Sequence, residues 1–123
     1  MKYKVLIVGQ NPGNNPKAFN YKNHTIDRLN KWAYLLKIDT YSFVNCVSFM
    51  GKCTIKDADF DLLNGCAKEY KKVIALGSFA SRCLECINIT HFKLPHPSPR
   101  NRMMNDKVKV NLLLEDCRRY LDE

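Results

Sequence analysis

The sequence predicts an α/β domain built on a four-stranded parallel sheet with helices on both faces. Three short apolar runs, residues 4–8, 41–45 and 73–76, each end in a polar or glycine turn, and a fourth run, residues 89–94, is stopped by Pro95. Between them lie segments whose apolar residues recur at helical spacing. Strands that alternate with helices in this way form a parallel sheet buried on both sides. The 123 residues contain no repeat, no low-complexity tract and no linker, so one domain is expected over residues 1–123.

Taken in order, the first strand (residues 4–8) delivers the turn of residues 9–13 to the sheet edge, and a polar loop holding Phe19 and Tyr21 continues to Asn23. Ile26, Leu29, Trp32, Ala33 and Leu36 then mark a crossover helix, with Asn23 or Thr25 as its cap. The β-branched and aromatic run YSFVN, residues 41–45, is the second strand and leaves Asn45 at its end. After a loop around Gly51, a helix places Ala58, Leu62, Leu63, Cys66 and Ala67 on one face. Residues 73–76 form the third strand; Gly77 turns the chain and Ser78 caps a helix carrying Phe79, Ala80, Cys83, Leu84 and Ile87. Strand four follows at residues 89–94. Asp106 caps a last helix that buries Val110, Leu113, Leu114, Cys117 and Leu121.

Lys and Arg outnumber Asp and Glu 20 to 12, a formal charge of +8 that suits a polyanionic partner such as nucleic acid, or else a merely solvated basic surface. No apolar run approaches the roughly 18 residues of a membrane span. No signal-peptide pattern opens the chain, so the expectation is a soluble intracellular protein of the cytoplasm or nucleoid, a virus-encoded one included, and not a secreted one. The six cysteines fall largely in or beside apolar segments and read as reduced core thiols. Cys83 and Cys86 form a CxxC on a predicted helix, with no second pair at zinc-ligand spacing, so no metal is expected.

Two loop motifs carry the functional signal. GQNPG, residues 9–13, ends the first strand, and HPSPRN, residues 96–101, follows the fourth. The first is neither a dinucleotide fingerprint nor a P-loop, since it lacks the three spaced glycines and the Lys-Ser/Thr pair. Together, with Asn45 ending a strand between them and IALGSFA at residues 74–80, they resemble the uracil-DNA glycosylase superfamily over nearly the whole chain. The second motif is closest to the single-strand-selective monofunctional branch. The first is similar both to that branch and to the mismatch-specific branch. The resemblance implies a three-layer α-β-α, uracil-DNA glycosylase-like fold with sheet order 2-1-3-4, in which the loops after strands one, two and four converge on one crevice. The superfamily's iron–sulfur members carry cysteines ahead of the first motif; here eight residues precede Gly9, none of them Cys, so no cluster is expected.

Hydrolysis of a pyrimidine N-glycosidic bond builds positive charge on the sugar and negative charge on the departing base, while a water reaches C1′. The target nucleotide must be flipped out or presented single-stranded. By resemblance, Asn11 occupies the water-positioning place, where some branches carry Asp; an amide orients water without accepting its proton, which implies a slow enzyme. His96 matches the histidine that donates to uracil O2 as charge develops there. Asn45 offers one donor and one acceptor, the complement of uracil O4 and N3–H. Gln10, Gly13 and either Phe19 or Tyr21 complete the expected base site, with Gly13 near C5, where the narrowly uracil-specific branch has a blocking Tyr. Ser78, Ser98, Arg100, Arg102 and Lys107 are the expected DNA contacts, and Arg100, Met103 or Met104 the wedge that fills the gap left by a flipped base. Each residue also has a plainer reading: a turn Asn, a solvated His, an Asn that satisfies backbone, exposed charges.

The expected activity is therefore a monofunctional, monomeric DNA glycosylase without metal or cofactor, acting on uracil or 5-substituted uracil in single- or double-stranded DNA. Two rivals share the fold. One is a module that binds uracil-containing or single-stranded DNA without cleaving it. The other is an enzyme that processes modified pyrimidines by different chemistry.

Overall fold

The structure, a computed structural model, describes residues 3–11, 24–49, 51–97 and 101–123, with the backbone alone at residues 3 and 24–26. The central strand β1 (Tyr3–Gly9) pairs with β2 (Ile38–Asn45) on one side and β3 (Lys72–Leu76) on the other, and β4 (Phe92–Leu94) adds beyond β3. Every pairing is parallel and the order is β2-β1-β3-β4, as expected. All four carboxyl ends therefore share one edge of the sheet.

The period of two along a strand sorts side chains onto two faces. Val5 and Ile7 of β1 and Ile74 and Leu76 of β3 meet Leu29, Trp32 and Leu36 from α1 (His24–Leu35) and its exit. The same cluster takes Val110, Leu114, Cys117 and Leu121 from α4 (Lys107–Asp122). Leu6, Val8, Val73 and Ala75 face the other way, onto Leu63 and Ala67 of α2 (Phe60–Ala67) and Ala80, Cys83 and Leu84 of α3 (Gly77–Cys86). The result is a three-layer α-β-α domain. Full burial of one Leu or Ile contributes about 1.5–3 kcal/mol, so β1, buried on both faces, is the strand on which the layers depend.

Several local expectations need correction. Leu62, expected in the core, is 47% exposed. The helix it sits on is short and capped late, by Asp59 accepting from Leu62 N at 3.0 Å, with a separate 3-10 turn, Ile55–Asp57, ahead of it. Ser78 does not cap α3: the helix begins at Gly77, the cap position falls on Leu76 and no side chain caps it. Strand four is shorter than its apolar pattern, because Asn88 at φ 57° and Ile89 N donating to Leu84 O (3.0 Å) close α3 with the residues that looked extended. Strand two is longer, starting at Ile38 directly after Lys37 at φ 59°. Thr25 lies inside α1, and Asn23 lies outside the described residues. Asp106 does cap α4, accepting from Lys109 N at 3.0 Å.

The end of α4 is tied to the amino end of β3. Tyr120 Oη accepts from Val73 N at 3.2 Å, while Lys72 Nζ donates to Tyr120 O at 2.9 Å. With its last turn held there, α4 runs antiparallel to the strands and its first turn, with the segment from residue 101, returns to the carboxyl edge.

Candidate functional site

The carboxyl edge of the sheet is also where its winding changes. α1 leaves β1 on one face and α3 leaves β3 on the other, which makes the β1/β3 boundary a topological switch point. Gly9 to Asn11 lie on one side of this boundary and Gly77 on the other.

Parallel pairing continues past the strands: Cys46 N donates to Gly9 O and Val47 N to Gln10 O, both at 2.9 Å. The loops leaving β1 and β2 are thereby drawn together. Asn11 Nδ2 donates to Gly51 O at 2.8 Å and to Phe49 O at 3.3 Å. Two carbonyl acceptors fix which end of the amide is nitrogen. Oδ1 is left as an acceptor without a donor among the described residues, the state that a water-orienting amide requires. Gly51 closes this cradle at φ +97°, a conformation that L side chains rarely adopt. Among the described residues the Gln10 amide makes a single weak contact, Nε2 to Cys53 Sγ at 3.5 Å.

Gly9 is the point of closest approach. A Cβ built there would stand 2.6 Å from Phe43 Cζ and 2.8 Å from Asn45 Oδ1, so an aromatic ring tip and an amide oxygen converge on bare backbone. Tyr41, Phe43 and Asn45 share one face of β2 by alternation. Tyr41 is committed to α1 through its hydroxyl, which donates to Asn30 Oδ1 at 2.7 Å, whereas Phe43 stays 47% exposed beside the half-buried Asn45. Gly9→Ala is expected to leave the fold standing, because both obstructing atoms are side-chain ends. It should displace Asn45 and, if this edge holds the base site that the resemblance implies, lower uracil excision at least about tenfold, misplacement of order 1 Å being enough for that. Thermal melting and single-turnover rates measured together check this, and an unchanged rate would separate Asn45 from the chemistry.

His96 is held at the same edge from several directions. Gly77, at φ +89°, packs against it so closely that a Cβ would meet His96 Cβ at 3.4 Å. Pro95 and Pro97 are buried on either side of it. Asn101 Nδ2 donates to His96 O at 2.9 Å while its Oδ1 accepts from Met103 N, and Arg28 Nη1 of α1 donates to Pro97 O at 3.3 Å. Burial lowers the His96 pKa below its usual value, so near neutral pH the ring is uncharged and carries one N–H donor.

Asn11, Gln10, Asn45 and His96 thus come to one edge, in the strand order β2-β1-β3-β4. Ser78, in the first turn of α3, and Arg102 and Lys107, beside the start of α4, are exposed near that edge. Gly13, Phe19, Tyr21, Ser98 and Arg100 lie outside the described residues. Of the wedge candidates inside them, Met103 and Met104 are half-buried, and Met104 packs on the core. Sequence reasoning missed five contributors: Arg28, the Asn101 staple, Phe43, and the Phe49 and Gly51 carbonyls. Backbone acceptors leave no sequence signal, but Asn101 stood inside the motif, and the exposure of an aromatic at an edge strand is a tertiary fact.

All six thiols are free, with burial pushing Cys117 up to about 12 and Cys46 and Cys83 also upward. Among the described residues, no cluster of three or more His, Cys, Asp or Glu could hold a metal, and no helix is long and apolar enough to cross a membrane. A groove of about 240 Å³, lined by Leu35, Leu36, Asn111, Leu114, Glu115 and Arg118, lies towards the opposite end of α1 and α4 from this edge. Comparison of the chain with protein-family models, with characterised proteins and with solved structures finds none that matches.

Proposed function

We propose that the chain is a monofunctional DNA glycosylase of the uracil-DNA glycosylase kind, hydrolysing the bond between uracil or a 5-substituted uracil and its deoxyribose. One observation carries the reading: the Asn11 amide is pinned through its nitrogen by two backbone carbonyls, at the same sheet edge as a neutral, braced His96. Asn11 Oδ1 orients a water towards C1′. As the N1–C1′ bond breaks, the oxygen of that water bonds to C1′, its proton passes to solvent, and the His96 N–H donates to the charge gathering on O2. Asn45 reads O4 and N3–H. The +8 formal charge supports binding to a polyanion, with affinity that falls as salt rises.

The test uses labelled single- and double-stranded oligonucleotides carrying uracil, thymine, 5-hydroxymethyluracil or hypoxanthine, followed by alkali to cut abasic sites. Cleavage at uracil is expected, with 5-hydroxymethyluracil also accepted. Tight binding with no abasic product would overturn the enzyme reading in favour of a binding module.

A further inference from the structure

The loop that leaves β2 joins two features. Its base is fixed: Cys46 and Val47 are fully buried, their N–H groups pair with Gly9 and Gln10, and Cys46 O accepts from Asp59 N at 2.8 Å. Its far part holds Asn11 through the Phe49 and Gly51 carbonyls. Yet the Phe49 side chain is 46% exposed, and the exposed Lys52 follows Gly51 directly. The backbone of Phe49 thus serves the water-positioning amide while its ring remains open to solvent, with an exposed cation three residues on in the chain. An exposed ring on a basic protein can take a nucleobase while nearby cations take its phosphates, largely without regard to sequence.

We infer that Phe49 is a nucleic-acid contact and positioning residue: its ring stacks on a base neighbouring the target nucleotide, and that contact steadies the carbonyl cradle that orients Asn11. The inference rests on the glycosylase reading for its catalytic half and on geometry alone for its contact half. Substrates with a base beside the target gain both affinity and rate, whereas a substrate lacking that base gains neither.

Two variants test this. Phe49→Leu should weaken binding of a uracil-containing single-stranded 15-mer by roughly tenfold, the range of one lost base stack. It should also slow single-turnover excision on that 15-mer, and slow it less on a 15-mer whose nucleotides flanking the uracil carry no base. A residue needed only for folding would depress both substrates alike. Phe49→Trp, which keeps a stacking ring, should bind and excise better than Phe49→Leu, and its indole fluorescence, set against the buried Trp32, should be quenched on adding an oligonucleotide without uracil. Wild-type affinity and rates for Phe49→Leu, or no quenching of Phe49→Trp, overturn the inference. If the wild type excises nothing, the glycosylase reading fails, and quenching still decides whether Phe49 touches nucleic acid.

Discussion

Asn11→Asp is expected to lose about a hundredfold in single-turnover uracil excision at pH 7, although branches of the superfamily this chain resembles carry Asp at the corresponding place. The reason is the cradle. Asn11 Nδ2 faces Gly51 O at 2.8 Å and Phe49 O at 3.3 Å, two acceptors that welcome an amide N–H and repel a carboxylate. Ionised Asp would swing away and take with it the oxygen proposed to orient the water. Loss of one aligned polar group at a transition state typically costs about 2.7–4 kcal/mol, or 10²–10³ in rate. Protonated Asp, by contrast, places an O–H donor where the amide N–H was. Its pKa in the folded protein should therefore be raised, since the cradle favours the neutral form. The sign follows: excision by the variant recovers as pH falls and is lost as pH rises through that raised pKa. Stability relative to wild type falls over the same interval, because the unfolded chain ionises near the ordinary value of about 3.9. Asn11→Ala should lose at least about tenfold with no such pH dependence. A variant Asp faster than Asn at pH 7 would mean that the carbonyls do not hold this side chain.

That contrast also marks how far the sequence could be read. Parallel strands were legible because residues 5–8 and 73–76 are continuous apolar runs, which suit only a strand buried on both faces. Strand order came from resemblance, since spacing alone does not distinguish which neighbour β1 takes on each side, and the structure bears it out. Element ends were misjudged where tertiary closure overrode pattern. Residues 89–91 look extended, but Ile89 closes α3 together with Asn88, and His91 turns back to bond Ser81 Oγ at 2.7 Å. At the candidate site, the side chains proposed to carry chemistry sat in short motifs and could be named. The groups that aim them could not. Gly51 and Phe49 act through carbonyls that every residue possesses, and Arg28 reaches Pro97 across 69 positions of sequence.

His96 gives the other large effect. His96→Ala should lower single-turnover excision at least about tenfold, and as much as a thousandfold if the ring supplies the whole donor to O2, while DNA affinity changes little. His96→Gln should retain part of the rate, since its amide N–H can donate where alanine cannot. The pH profile distinguishes this role from that of a proton donor with an ordinary pKa. Burial depresses the His96 pKa, so the ring is already neutral at pH 7 and stays neutral as pH falls past 6.5, where an exposed imidazole would gain its proton. Wild-type excision should accordingly be level across that region and change only at more acid pH, where His96 finally protonates. Stability carries the same sign: a depressed pKa means that the unfolded chain binds the proton first. The contribution is fully present above about 6.5 and is lost as pH falls towards and through the folded pKa. His96→Ala should remove that part of the acid dependence of melting. A rate that steps at pH 6.5 in the wild type, and no longer steps in His96→Ala, would instead make His96 an exposed titrating acid, contrary to its packing against Gly77 and between two buried prolines.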